Sequence, residues 1–261
     1  MMCALKYLLF AMLFLSVMTV EQTRNSKPKS MAKMLAQSQQ LVLVTTRDWN
    51  AVEGELRFYE RASKAQPWQV KGEKIAVVVG RNGMAWGKGL HGEPVVLAKS
   101  GDPIKKEGDG RAPAGVFKLS SAFGYASKGE ATDVKLPYLQ STETVECVDD
   151  VRSSHYNRLV NRDKIAHPDW NSSEQMRRSD ELYRWGVVVD HNAGKPEAGA
   201  GSCIFLHIWT GDGKGTAGCT AMEPDKIKQL LSWLDAKKNP VLVQLPQAEL
   251  ERLRESLGVP R

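Results

Sequence analysis

The 261-residue chain contains no CxxC and no HxxxH pair, and only four cysteines and five histidines in all. Those absences remove the usual sequence frameworks for a zinc site. Lysine and arginine are scattered rather than run together, so no dedicated nucleic-acid surface is indicated and no nucleic-acid partner is expected. No internal repeat occurs. The uncharged, mostly apolar stretch Tyr7 to Val20 is fourteen residues long, short of the roughly 20 that a spanning helix needs. An Ala-x-Ala cleavage site is missing after it as well.

What is present begins with that same stretch. Lys6 precedes it and the polar run EQTRNSKPKS follows it, which is the layout of a secretory signal. Residues 1–22 are therefore read as a signal peptide or a short anchor, with membrane contact only through this segment if it stays uncleaved. Cys3 lies before the apolar run and does not read as a lipidation site. Export to the periplasm or cell envelope is the expectation. The net charge of +6, with a quarter of the residues charged, suits a polyanionic surface such as cell wall and equally suits ordinary solubility.

The length allows one domain with appendages. Residues 23–40 read as a polar linker or loosely packed lead-in, residues 41–246 as a catalytic domain and residues 247–261 as a charged helical tail. LVLVTT is a buried run, ELRFYER alternates, and KIAVVVG, GVFKL and WGVVVDH are further strands bounded by turn residues. The segment from Ser120 to Tyr183 is polar and aromatic and reads as loops and short helices. Glu223 to Lys238 reads as one helix, with Pro224 in its first turn, Ile227, Leu230, Leu231 and Leu234 on one stripe, and Asn239-Pro240 as its stop. The expected class is mainly β with a few helices, that is, α+β.

The chemistry concentrates in CIFLHIWTGDGKGTAGCTAM. Cys203 to Trp209 is long enough for one buried strand, and His207 sits near its end. Gly211, Gly213, Gly215 and Gly218 permit a tight return that brings Cys219 back toward His207. A thiol needs a neighbour to ionise it near neutral pH, and an imidazole is such a neighbour. Cys203, His207 and Cys219, with His191 as a fourth, are also zinc-ligand types. Residues four apart on a strand are separated by roughly 13 Å, so Cys203 and His207 do not share an ion without a sharp bend, and no metal is assigned. His191 lies at a strand end where a pocket rim would be. Arg81, Arg111 and Arg184 are each able to anchor a carboxylate.

These residues resemble the L,D-transpeptidase catalytic domain family (YkuD-like). Its signature is a strand histidine, a glycine-bearing spacer and a Ser/Thr-x-Gly-Cys turn, matched here by His207 and Thr216-Ala217-Gly218-Cys219. EGDGRAPAGVFKL is similar to the family's Gly-Asp-Gly-x-x-Pro-x-Gly-x-Phe segment. The resemblance implies a β-sandwich catalytic domain and a cysteine acyltransferase that attacks peptidoglycan stem peptides, with no cofactor. Cys219 would be the nucleophile and His207 its base. The Ile208 carbonyl would orient the imidazole, and N–H groups around Gly218 and Cys219 would form the oxyanion hole. His191, Thr216 and Trp209 would contact substrate. An amine acceptor, unidentified from the sequence, would give a cross-link, and water would give carboxypeptidase activity. A catalytically silent wall-binding module and an unrelated thiol hydrolase are the alternatives. Departures exist: where the family places an arginine two residues after the cysteine, this chain has Ala221, and no second histidine precedes the nucleophile. Cys147 and Cys203 are either a disulfide or two buried thiols.

Overall fold

The computed structural model describes residues 32–260. The signal or anchor segment 1–22 and residues 23–31 of the linker lie outside the described residues. No helix among the described residues is long and apolar enough to cross a membrane.

A short helix α1 (Ala32–Leu35) leads into β1 (Gln40–Thr46), β2 (Glu53–Glu60) and β3 (Gln69–Val78). These three strands form an antiparallel meander, with Leu41 opposite Tyr59 and Leu56 opposite Ile75. There follow β4 (Met84–Trp86), β5 (Ala112–Gly124), β6 (Tyr138–Gln140), β7 (Val145–Val148), β8 (Arg158–Asn161) and β9 (Ser173–Gln175). The chain ends with β10 (Trp185–Val189), β11 (Phe205–Ile208), β12 (Thr220–Met222), α2 (Pro224–Trp233), β13 (Val241–Pro246) and α3 (Gln247–Leu257). The mainly β expectation holds.

The expected sandwich of two facing sheets does not describe the pairing. The main sheet runs β10-β11-β12-β3-β2-β1-β13-β5, and β5 then pairs back onto β10, so the sheet curls into a barrel. Length makes this closure work. The thirteen-residue β5 pairs with β13 over Gly115 to Lys118 and with β10 over Leu119 to Gly124. One strand thus satisfies the backbone of two neighbours that would otherwise be open edges.

Helices cover the outside. β1 is buried along nearly its whole length, because one of its faces points inward and the other lies under α3. Leu250, Leu253 and Leu257 of α3 are all buried in the main core, so the segment expected as a charged tail is a docked layer. Leu35 of α1 is buried too, and Arg61 donates to the Leu35 and Ser38 carbonyls at 2.5 and 2.8 Å. Residues 32–40 are therefore packed rather than loose. The helix expected from Glu223 to Lys238 is shorter than read. It stops at Trp233, and the Asp235 carboxylate accepts from Lys237 N at 2.9 Å to start a separate 3-10 turn.

The segment from Ser120 to Tyr183 also differs from expectation. It holds a three-stranded side sheet, β8-β7-β9, and a 3-10 turn at Arg162–Lys164, but no α-helix. Alternation is hard to read there because each strand is only three or four residues long. A disulfide, Cys147–Cys203, with Cα atoms 5.9 Å apart, ties β7 of this side sheet to the segment entering β11.

Candidate active site

Strand β11 alternates as its sequence requires. Leu206 joins the main core, and Phe205 and His207 point to the opposite face. β12 runs parallel to β11, with Leu206 opposite Thr220 and His207 opposite Ala221. Cys219, one residue before β12, therefore lies beside Phe205 on the face that also carries His207. Two parallel strands cannot be joined by a tight hairpin, and the chain returns through the glycine-rich segment. Gly211 and Gly213 take φ of 145° and 67°, which only glycine adopts readily. Gly215 serves a different purpose: a Cβ there would lie 2.5 Å from Arg81 Cα. That close approach lets Thr216 N donate to Val79 O at 2.9 Å and Thr216 O accept from Arg81 N at 2.8 Å. The turn is thereby fastened to the end of β3.

Thr216 completes the local geometry. Its hydroxyl donates to the Cys219 carbonyl at 2.6 Å and accepts from Gly218 N at 3.1 Å. Thr216 thus shapes the turn behind the cysteine, and the Gly218 N–H is already spent there. A Cβ on Gly218 would sit 3.2 Å from Arg111 O, so the position is tight.

His207 and Cys219 line one cavity of about 450 Å³. His207 is buried, and its Nδ1 faces the Ile208 carbonyl at 2.7 Å. A carbonyl only accepts, so Nδ1 carries the proton and Nε2 keeps a free lone pair. Burial pushes the imidazole down to about 4, which leaves it neutral near pH 7. Burial pushes the Cys219 thiol up, and the nearby Glu174 carboxylate adds to that shift. The sulfur accepts from Phe205 N at 3.3 Å and donates to Cys203 O at 3.5 Å. In this state it is a protonated thiol held by backbone groups.

The other expected residues are placed as follows. Trp209 lines the cavity, with Thr216 and Gly218. Ile208 contributes its carbonyl while its side chain belongs to the main core. His191 does not line the cavity. It is buried, its Nε2 lies 3.0 Å from the Ala200 carbonyl and its ring packs edge-on against Phe117. Burial lowers its pKa to about 3, as befits a neutral core imidazole. The strand end it occupies is covered by the loop that follows, a feature invisible in VVVDHN. The apolar cluster around Cys219 is built by Phe123, Val145, Met176, Tyr183, Phe205 and the disulfide.

The sequence reading missed the charged lining. Lys105, Glu107, Glu174, Arg178 and Lys214 all face the cavity. None of Arg81, Arg111 or Arg184 does. Arg111 donates to the Trp49 and Met84 carbonyls, and Arg184 pairs with Glu181. The guanidinium at the site is Arg178, paired with Asp180 and stacked 5.0 Å over the Tyr183 ring. Glu174 and Arg178 arrive with the side sheet and the turn after it, from a stretch with no motif. Cys203 is a linker between these parts. It holds φ +54°, unusual outside glycine, and is fixed by the disulfide and by Asn157 Oδ1, which accepts from its N–H at 2.9 Å.

The domain is thus a barrel-like β body in which a strand histidine and a glycine-turn cysteine share one cavity. The family model for the YkuD L,D-transpeptidase catalytic domain matches residues 55–243, and the chain belongs to that family. No curated protein and no solved structure matches it. The matched segment begins inside β2 and ends inside β13, so β1 and α3 belong to the same folded body without being part of the match.

Proposed function

We propose that the protein is an exported cysteine L,D-transpeptidase that acts on peptidoglycan stem peptides through a thioester on Cys219. The observation that carries this reading is the pair in one cavity: a neutral His207 with Nε2 unengaged, and a single free thiol among the described cysteines. The carbonyl at the L-centre of the stem's diamino acid enters that cavity. Cys219 Sγ turns from the Cys203 carbonyl, gives its proton to His207 Nε2 and bonds to the carbonyl carbon. The Phe205 N–H remains on the sulfur and favours its charged form. Gly218 N–H is engaged with Thr216, so the Cys219 N–H is the donor assigned to the oxyanion. Collapse of the tetrahedral adduct breaks the bond to terminal D-alanine, whose amine takes the proton from His207. An amine acceptor then regenerates the thiol by forming a cross-link, and water does so by hydrolysis, giving L,D-carboxypeptidase activity at the same site. The disulfide fits an oxidising compartment outside the cytoplasm.

The test is incubation of the full chain with stem tetrapeptides, following D-alanine release and the mass of the Cys219 peptide. D-alanine release with a covalent acyl adduct is expected. Cys219→Ala should abolish both, and His207→Ala should slow acylation by about a hundredfold or more, the usual range for losing a general base. Native turnover by Cys219→Ala would sink the reading.

A further inference from the structure

Tyr183 and Glu174 meet the nucleophile without a part in the chemistry above. Tyr183 is buried just before β10, with its ring edge-on to His207 at 5.0 Å and to Phe205 at 5.5 Å between centroids. Its hydroxyl donates to Glu174 Oε2 at 2.5 Å, and its ring packs in one buried cluster with Cys219, both lining the cavity. Glu174 comes from β9 in the side sheet, and its burial holds the carboxyl above the usual carboxylate range. The titratable and charged groups that share the cavity with Glu174 are Tyr183, Asp149 after β7, Arg178 after β9, Lys105 and Glu107 from the loop before β5, Lys214 from the glycine-rich return, His207 and Cys219. Asp149 and Glu107 oppose its ionisation, and Arg178 favours it. A phenol has one proton to donate. It serves the carboxylate or the sulfur, but not both at once.

We propose that Tyr183 and Glu174 are positioning residues that govern when Cys219 becomes a thiolate. With Glu174 ionised, the phenolic proton stays on the carboxylate, and the negative charge behind it keeps the sulfur a thiol. With Glu174 protonated, its own O–H donates to the Tyr183 oxygen and the phenolic O–H turns to the sulfur. No bond to carbon changes in this step, and the thiol proton still goes to His207 Nε2. The inference rests on the reading of Cys219 as nucleophile, but not on which substrate it attacks. It also explains why a side sheet with no share in the barrel closure is stapled beside the site.

Glu174→Gln imitates the protonated carboxyl, since its amide donates to the Tyr183 oxygen without charge. Tyr183→Phe keeps the ring contacts and removes the proton. The experiment measures the rate at which iodoacetamide alkylates Cys219 across pH, resolved by mass spectrometry of the peptide containing that residue. Glu174→Gln should speed alkylation at pH 7 by about tenfold, the effect of a one-unit fall in thiol pKa. Tyr183→Phe should slow it, because neither donor nor screen then stands between carboxylate and sulfur. The double variant should keep only part of the gain of Glu174→Gln, because the charge is gone but no phenol donates to the sulfur. A Glu174→Gln profile that overlays the wild type overturns the proposal, and so does a gain that survives undiminished in the double variant. If only Tyr183→Phe folds, alkylation at or above the wild-type rate overturns it equally. Stem-peptide turnover enters none of these measurements, so a failure to release D-alanine counts against the proposed function alone.

Discussion

Replacing both Cys147 and Cys203 with alanine removes the covalent tie between the side sheet and the strand that carries His207. The bridge spans a sequence separation of 56 residues. A closed loop of that length removes roughly 14 cal/mol/K of chain entropy from the unfolded state, or about 4 kcal/mol at room temperature. For a domain of this size each kcal/mol moves the thermal midpoint by about 2–4 °C, so a fall of about 8–16 °C is expected. The effect should be local as well as global. Cys203 sits at φ +54° and its carbonyl receives the Cys219 thiol at 3.5 Å. Releasing it should therefore loosen the nucleophile, and Cys219 should alkylate faster at temperatures well below the midpoint. Circular dichroism melts of oxidised wild type and the double variant, with alkylation at 25 °C, read both effects. A midpoint within about 2 °C of wild type would mean that the bridge constrains nothing the non-covalent contacts do not already hold.

Acid should destabilise the fold before most carboxylates titrate. His191 and His207 are held at about 3 and about 4, and His91 is also lowered by burial, so the unfolded chain binds more protons below about pH 6.5 and stability falls as pH drops from there toward 4. Each histidine adds a slope of up to about 1.4 kcal/mol per pH unit, partly offset by Glu174 and Asp190, whose raised values act in the opposite sense; urea midpoints at pH 7, 6 and 5 that stay level would refute this. Ala221→Arg, which restores the family's arginine, should not restore a carboxylate anchor. Ala221 is fully buried opposite His207 and Val78, and an unpaired guanidinium there costs about 3 kcal/mol or more. A melt unchanged from wild type, with raised activity on tetrapeptide donors, would show that the side chain finds the cavity after all.

His207 and Cys219 were legible in the sequence because the features that join them are local. One strand, one glycine turn and one following strand bring them to the same face, and the Ile208 carbonyl is supplied by the next peptide. The rest of the site comes from afar. Glu174, Arg178 and Tyr183 reach the cavity only because a side sheet of short strands docks beside β11, and strands of three or four residues carry too little alternation to read. His191 shared its residue type and strand-end position with a rim residue, and only the loop over it decides otherwise. The barrel was equally hidden. Its closure depends on the two halves of β5 taking different partners, a fact of pairing rather than of pattern. Asp235 illustrates a smaller case: the apolar stripe continues through Leu234, but the helix stops at Trp233 and the Asp235 side chain caps a separate 3-10 turn.

The curled sheet has a practical consequence for anyone who trims this chain. The segment that matches the family, residues 55–243, omits β1, which lies between β2 and β13. Cutting there would unzip the sheet at its middle, leaving the β2 edge without its partner and β13 cut back to Val241–Val243, both with unpaired amides. It would also remove α3, whose Leu250, Leu253 and Leu257 cap the same region. Such edges recruit strands from other molecules, so the shortened protein should be recovered as aggregate, while one that begins before Leu35 and runs through Val259 should stay dispersed.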